Sequence, residues 1–244
     1  MAAGKKSRSL GSSLRDLLIL IIGIVLSFIL TEWRQKKSDF EEEKRIVALL
    51  YSDLQQDTAY INTNLEGLAG LKRGYDSILS YRSDPENADP LQVLGWAYSV
   101  VNILPFEPKR TGYIQLSNHK SSGALKNKEI LTAVISLFNE EYTTLKTLNT
   151  SHKDMLINQM MPKYYSWIPF VASQSDITEE VKAQLLDLLK NNEFLNMLQF
   201  EYILKVNLEN HYKYALEQID STMKLIETEY PQGLNLEPIP NEPK

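Results

Sequence analysis

Three histidines, His119, His152 and His211, are the only imidazoles in this chain, and there is no cysteine. None of the three stands in a Glu-x-x-His or His-x-x-x-His spacing, the patterns that point two ligands from one helix at a single metal. The lack of thiols removes Cys-ligated zinc, iron–sulfur clusters, disulfides and thiol catalysis. His152 falls on the apolar face of a helical pattern and reads as a core histidine held by a partner. His119 sits near Lys109, Arg110 and Lys120, a solvated loop by default and a small-anion site as the alternative. Glu41-Glu42-Glu43 and Glu140-Glu141 read as solvated faces rather than acid/base pairs. Ser122-Gly123 reads as a turn, since no Gly-x-Ser-x-Gly, P-loop or dinucleotide fingerprint surrounds it. Tyr164, Tyr165, Trp167 and Phe170 form an aromatic group better suited to packing between helices than to a binding lip. No catalytic, metal or cofactor residue is assigned, and the expectation is a protein that is not an enzyme.

The elements around these residues are helical. Leu17, Leu18, Ile19, Leu20, Ile21, Ile22, Gly23, Ile24, Val25, Leu26, Ser27, Phe28, Ile29 and Leu30 form a run of 14 residues without charge. At about 1.5 Å per residue this run covers about 21 Å, short of a hydrocarbon core of about 30 Å. A helix from Leu14 to Trp33 closes the gap, with Arg15 snorkelling at one end and Trp33 at the other interface. Thr31-Glu32-Trp33-Arg34 follows the run and makes a poor signal-peptidase site, so the segment reads as an uncleaved signal anchor. Gly23-x-x-x-Ser27 has the small-xxx-small spacing of helix dimers.

Charge divides at the same place. Residues 1–37 carry seven Lys/Arg against two acids, and residues 38–244 carry 19 against 29. So acidic a body has no electrostatic reason to bind nucleic acid, whereas the basic flank suits anionic headgroups. Lys5, Lys6, Arg8 and Arg15 lie on the short side of the run. Arg34, Lys36, Lys37, Lys44 and Arg45 lie on the long side, where length weakens the positive-inside rule. The expected topology puts the N-terminus in the cytoplasm and the body beyond the membrane.

Past the run, Ile46, Leu49, Leu50, Leu54, Ile61, Leu65, Leu68, Tyr75 and Leu79 recur at helical steps, predicting one rod over 14–82 that leaves the membrane as a stalk. Asp89 as N-cap and Pro90 at the first helical position predict a helix from Leu91 to about Leu104. Residues 109–128 are the least periodic. A helix over about Lys128 to Met160 carries Leu131, Val134, Phe138, Leu145, Leu148, His152 and Met155 on one face, with Pro162 and Pro169 breaking the chain beyond it. Asp176-x-x-Glu179 predicts a capping box for a helix to about Lys190. The last helix, Glu193 to Tyr230, places Tyr212, Leu216, Ile219, Met223, Ile226 and Tyr230 at coiled-coil spacing. No stretch alternates for long enough to be a strand.

The order of basic tail, apolar run ending Gly-Ile-Val-Leu-Ser-Phe-Ile-Leu-Thr-Glu-Trp-Arg, Leu49-Leu50-x-x-Asp53-Leu54-x-x-Asp57 and Ser122-Gly123-x-Leu125 resembles a family of single-pass, N-terminally anchored membrane proteins common in Bacteroidota. Trp33 matches the Asn-Trp-Asn-Glu type junction of that family, and the Asn residues do not. The resemblance implies a bacterial inner-membrane protein and carries no activity or site residues with it.

The 244 residues have 43% hydrophobic and 23% charged side chains, enough for a sizeable core, and only 20 Gly and Pro together, few for an all-β fold. The expected fold is all-α: a basic tail (1–13), a transmembrane helix (14–33), a helical stalk running into an antiparallel bundle (34–230), and a disordered Pro-rich tail (231–244). The expected function is a membrane-anchored scaffold or protein-interaction module. Its partners would be the bilayer, an unidentified protein, and a second copy through the span or the final helix. The alternative is a ligand-binding or sensory ectodomain signalling through the stalk, for which about 16 residues ahead of the run would be too few to fold as an output domain.

Overall fold

The computed structural model describes residues 10–118, 125–169, 171 and 177–231. Among them there is no strand, and the all-α expectation holds. The first helix, α1, runs unbroken over Leu10–Ser83, 74 residues or about 110 Å. It begins four residues ahead of the expected start of the span. Its surroundings change along its length. From Leu17 to Glu41 every described side chain is exposed, and from Glu43 onward a recurrent face is buried. The expected stalk is therefore mostly core: only a neck of about nine residues separates Trp33 from the body.

A short 3₁₀ turn, Pro85–Asn87, leads to α2, Pro90–Val100, which starts on Asp89 as expected; the Asp89 side chain accepts from Leu91 N at 2.9 Å. This helix stops four residues earlier than the apolar pattern suggests. Pro105 disfavours the helical conformation in the residue before it, and the chain continues without regular structure through Arg110. Within the stretch expected to be least regular lies α3, Thr111–Asn118. Its eight residues are too few for periodicity to register, and its start is held by α1 rather than by its own cap.

The expected helix from Lys128 is longer than its pattern, a rod over 128–167. It consists of α4 (Lys128–Ser136), a π-helical turn (Leu137–Glu141), α5 (Tyr142–Met155), a second π turn (Leu156–Met160) and α6 (Met161–Trp167). Pro162 does not end the rod. It follows the widened second turn directly, where its missing N–H falls in the first turn of α6. Each π turn adds a residue to the helical period and turns successive side chains inward: Leu137, Phe138, Glu141 and Tyr142 are all buried. Next comes α7, Glu179–Leu188, capped by Thr178, whose hydroxyl accepts from Val181 N at 3.3 Å. Thr178 thus does the capping expected of Asp176, which lies outside the described residues. The final helix, α8, spans Asn192–Glu229 with Asn191 as N-cap.

Pairings along α1 define the topology. Tyr75 stacks on Tyr202, Asn64 meets Tyr212, and Tyr51 meets Glu227, so α8 runs antiparallel to α1. The rod runs parallel to α1, with Lys126 at Glu43 and Tyr142 at Asp57, and antiparallel to α8, with Glu141 at His211 and His152 at Glu201. Between α2 and the rod the chain descends along α1 through Phe106, Lys109 and Gly112. Two cores result. One gathers Ile46, Leu50, Leu54 and Ile61 with Phe106, Phe138, Tyr142, Tyr212 and Ile219; the other gathers Ile78 with Val93, Leu156, Tyr164, Leu185 and Phe194. Both are built on α1.

Candidate functional site

Two kinds of site are formed. The first is the apolar run. Leu17 to Leu30 and Trp33 project outward all round the helix: Phe28 is 72% and Trp33 61% exposed. A core helix of this hydropathy would be buried, and none of this window is. This one helix is long and apolar enough to cross a membrane. A Cβ at Gly23 would meet nothing within 4 Å, so the Gly23/Ser27 face is open within one chain.

The second kind is a set of buried polar groups. Glu43, Asp53 and Asp57 lie on the inner face of α1, each under 5% exposed. Each carboxylate accepts from a backbone N–H of the descending segment: Glu43 from Lys126 at 2.8 Å, Asp53 from Gly112 at 2.7 Å, Asp57 from Lys109 at 2.8 Å. An irregular segment against a helix has backbone donors that no ladder satisfies, and a buried unpaired N–H costs about as much as a lost hydrogen bond. The three acids supply the missing acceptors. Asp53 also stands at the N-terminus of α3, where carboxylates are favoured by the free N–H groups and the helix dipole. Gly112 permits this approach, since a Cβ there would lie 2.4 Å from the Leu50 backbone nitrogen.

Burial raises the Asp57 carboxyl to about 6 against the opposing bonds from Lys109 N–H and Tyr142 O–H, and it raises Asp53 as well. The Tyr142 hydroxyl donates to Asp57 at 2.8 Å and is itself raised well above the usual phenol by burial. Beside it, Asn64 donates to the Pro105 carbonyl and to the Tyr212 hydroxyl, both at 2.9 Å. Phe106 is wedged edge-on between Tyr142 and Tyr212.

Farther along, His152 of α5 and Lys205 of α8 both reach one oxygen of Glu201, at 2.8 and 2.6 Å. Burial works to raise Glu201, but the His152 hydrogen bond and the Lys205 charge outweigh it and hold the carboxyl below its usual range; burial lowers Lys205. His152 is thus a buried, partnered histidine. His211 meets Glu141 at 3.1 Å. The two acidic runs are therefore only partly solvated faces: Glu43 and Glu141 are buried, because each is the member of its run on the inner side of its helix.

Of the aromatic group, Tyr164 is buried with its hydroxyl on the Ala97 carbonyl, Trp167 packs edge-on against Phe194, and Tyr165 stays 68% exposed. His119, Lys120, Ser122-Gly123 and Phe170 lie outside the described residues, as do residues 1–9 of the basic tail and 232–244 of the Pro-rich tail. Lys109, expected in a solvated loop with a small-anion site as the alternative, donates its backbone N–H to Asp57.

No family model matches this chain, and nothing similar emerges among curated proteins or solved structures. What the groups can do must follow from their geometry. Among the described residues no three His, Asp or Glu side chains converge as a metal site. The buried carboxylates Glu43, Asp53, Asp57, Glu141 and Glu201 meet amides, two phenols, two imidazoles and an ammonium of the same chain, contacts that tie the helices together. A recess lined by Gln56, Asp57, Tyr60, Thr63, Glu107 and Lys109 is open to solvent. The apolar run was legible in the sequence, but Glu43, Glu201 and Lys205 were missed. The signal for the last two was available: Phe194, Leu198, Glu201, Lys205, Leu208 and Tyr212 step 4, 3, 4, 3, 4, which puts both charges on the buried seam.

Proposed function

We propose that this protein is a membrane-anchored helical scaffold, a non-catalytic module that carries a rigid bundle close to a bilayer and presents it to other proteins. The supporting observation is the continuity of α1. A single helix contains the exposed apolar run and, about 24 Å further on, the spine of both hydrophobic cores. A helix so shared makes anchor and body one mechanical piece. Interhelical polar groups favour this reading over a sensory ectodomain, because among the described residues the buried ones bond to one another, apart from single oxygens of Gln115, Asn149 and Glu201. The resemblance to single-pass bacterial proteins points to an inner membrane. Lys5, Lys6, Arg8 and Arg15 on the short flank favour a cytoplasmic N-terminus and a periplasmic body.

Topology is testable without background because the chain has no cysteine. In cells with a permeabilised outer envelope, a Ser38→Cys variant should react with a membrane-impermeant maleimide. A Ser12→Cys variant should react only after the inner membrane is broken. The reverse pattern would put the body in the cytoplasm, and recovery of the full chain in the soluble fraction would end the anchor reading.

A further inference from the structure

The outer face of α8 carries a second heptad, distinct from the seam that packs on α1. Asn196, Phe200, Ile203, Asn207, Asn210 and Tyr214 step 4, 3, 4, 3, 4, and all six are exposed. At about 100° per residue they lie on the side of the helix opposite Glu201, Leu208 and Tyr212. This strip has no charge over its whole length, on a body whose acids otherwise outnumber its bases 29 to 19. Phe200, Ile203 and Tyr214 are each about half exposed. Half-buried Leu204 and Val206 widen the strip on its two sides. A solvated helix face in so charged a protein would carry Lys and Glu; this one carries Phe, Ile, Tyr and Asn.

We propose that this strip pairs with the same strip of a second copy, as a parallel two-stranded coiled coil between bundles anchored in one membrane. Three observations select that occupant. Phe200, Asn207 and Tyr214 take the a positions and Asn196, Ile203 and Asn210 the d positions. An Asn at a central a position sets the register of a parallel pair, because the two amides bond each other across the axis and would face Phe200 or Tyr214 if the strands slid by a heptad. The flanking positions set no like charges together: Gln199, Val206 and Lys213 of one helix would face Leu204, His211 and Gln218 of the other. Finally, α8 runs antiparallel to α1 in each chain. Two copies entering one bilayer from the same side are related by an axis along the membrane normal, which makes their α8 helices parallel. The next d position is Glu217, where identical charges would meet, and the seam ends there. This inference rests on the anchored-scaffold reading and names its partner.

A pair formed by the span would look different. Gly23 precedes Leu50, on the buried face of α1, by 27 residues. That is about 7.5 turns, so Gly23 and Ser27 face away from the bundle, and a pair through them would hold the two α8 helices apart. Single cysteines at Phe200, Ile203, Asn207, Asn210, Tyr214, Glu129 and Ser27 of the full chain, each the only thiol, would be oxidised in native membranes. The expected result is disulfide dimers from the five α8 positions and none from Glu129→Cys or Ser27→Cys. Adding Ile203→Lys to Asn207→Cys should abolish its dimer while circular dichroism keeps the same helix content. Cross-linking at Ser27→Cys alone, at Asn207→Cys without Phe200→Cys and Tyr214→Cys (an antiparallel pair), at no position, or undiminished in the presence of Ile203→Lys, would each overturn the proposal. In the no-dimer case, a chain that still pellets with membranes leaves the anchor reading standing, and a soluble chain sinks both.

Discussion

Single atoms at three places decide how this fold responds to change. Asp57 is raised to about 6 in the folded protein from an ordinary 3.8. The folded state therefore binds that proton more tightly than the unfolded chain, and stability contributed through this group falls as pH rises from about 4 to about 6. The effect is at most about 3 kcal/mol. Urea titrations of the detergent-solubilised protein should show Asp57→Asn losing part of the wild-type gain in stability between pH 7 and pH 5; an unchanged pH profile would remove Asp57 as its source. Gly112 is constrained by its neighbour rather than by its backbone angles. Gly112→Ala drives a methyl into the Leu50 main chain and should cost at least about 2 kcal/mol by the same titration. The Glu201 cluster makes the opposite point about charge. Lys205→Met leaves Glu201 buried beside His152 alone and should cost about 3–5 kcal/mol, whereas Glu201→Leu with Lys205→Met should recover most of that loss. Additive losses in the double variant would mean that the two charges do not act as a pair.

At the scale of elements, α1 is one helix for two different reasons. Beyond Glu43 it is held by packing against α8, α2 and α3, and across the neck it depends on helix propensity and on surface pairs such as Glu32–Lys36 and Glu42–Arg45. Such pairs add only tenths of a kcal/mol each, so the neck is the weakest part of α1. Trypsin should cut first among Arg34, Lys36 and Lys37, and Ser38→Gly should speed that cut without altering the helix content of the released body. Faster cutting inside 46–82 than at the neck would contradict the division of α1 into neck and core. The π turns show the same competition between local and global terms. On an ideal helix over 128–167 the buried series Val134, Phe138, Tyr142, Leu145, His152, Leu156, Met160 and Tyr164 would drift through about 120°, and the two widened turns offset that drift at the expense of regular hydrogen bonding.

For the whole molecule, everything that folds lies beyond the neck. Neither core draws a residue from before Ile46. Removing residues 1–38 should therefore give a body that stays in solution, retains its helical spectrum and keeps its stability to within about 1 kcal/mol. Loss of cooperative unfolding in that fragment would show that the bilayer, or the helix within it, is part of the fold. The two faces of α8 also act at this scale: one seam closes the bundle on α1, and the other is left for a neighbour.

How much of this could be read from the chain alone depended on the range of the interaction. The apolar run, the unbroken α1, Asp89 ahead of α2 and the seam from Tyr212 to Ile226 were legible because each is set by neighbours within one or two helical turns. Thr178 in place of Asp176 as cap, the early end of α2 at Val100 and the passage of the rod through Pro162 were harder, since local signals there compete and packing decides between them. Asp53 and Asp57 stood in a recognisable Leu-Leu-x-x-Asp-Leu-x-x-Asp pattern, yet their use was invisible: the Gly112 and Lys109 amides that they hold lie more than 50 residues away. The same holds for Glu43 with Lys126 and for His152 with Glu201. A helix announces itself through its own period. A buried charge is explained only by the partner that folding brings to it, because the cost of burial is offset by a group whose place in the sequence is arbitrary.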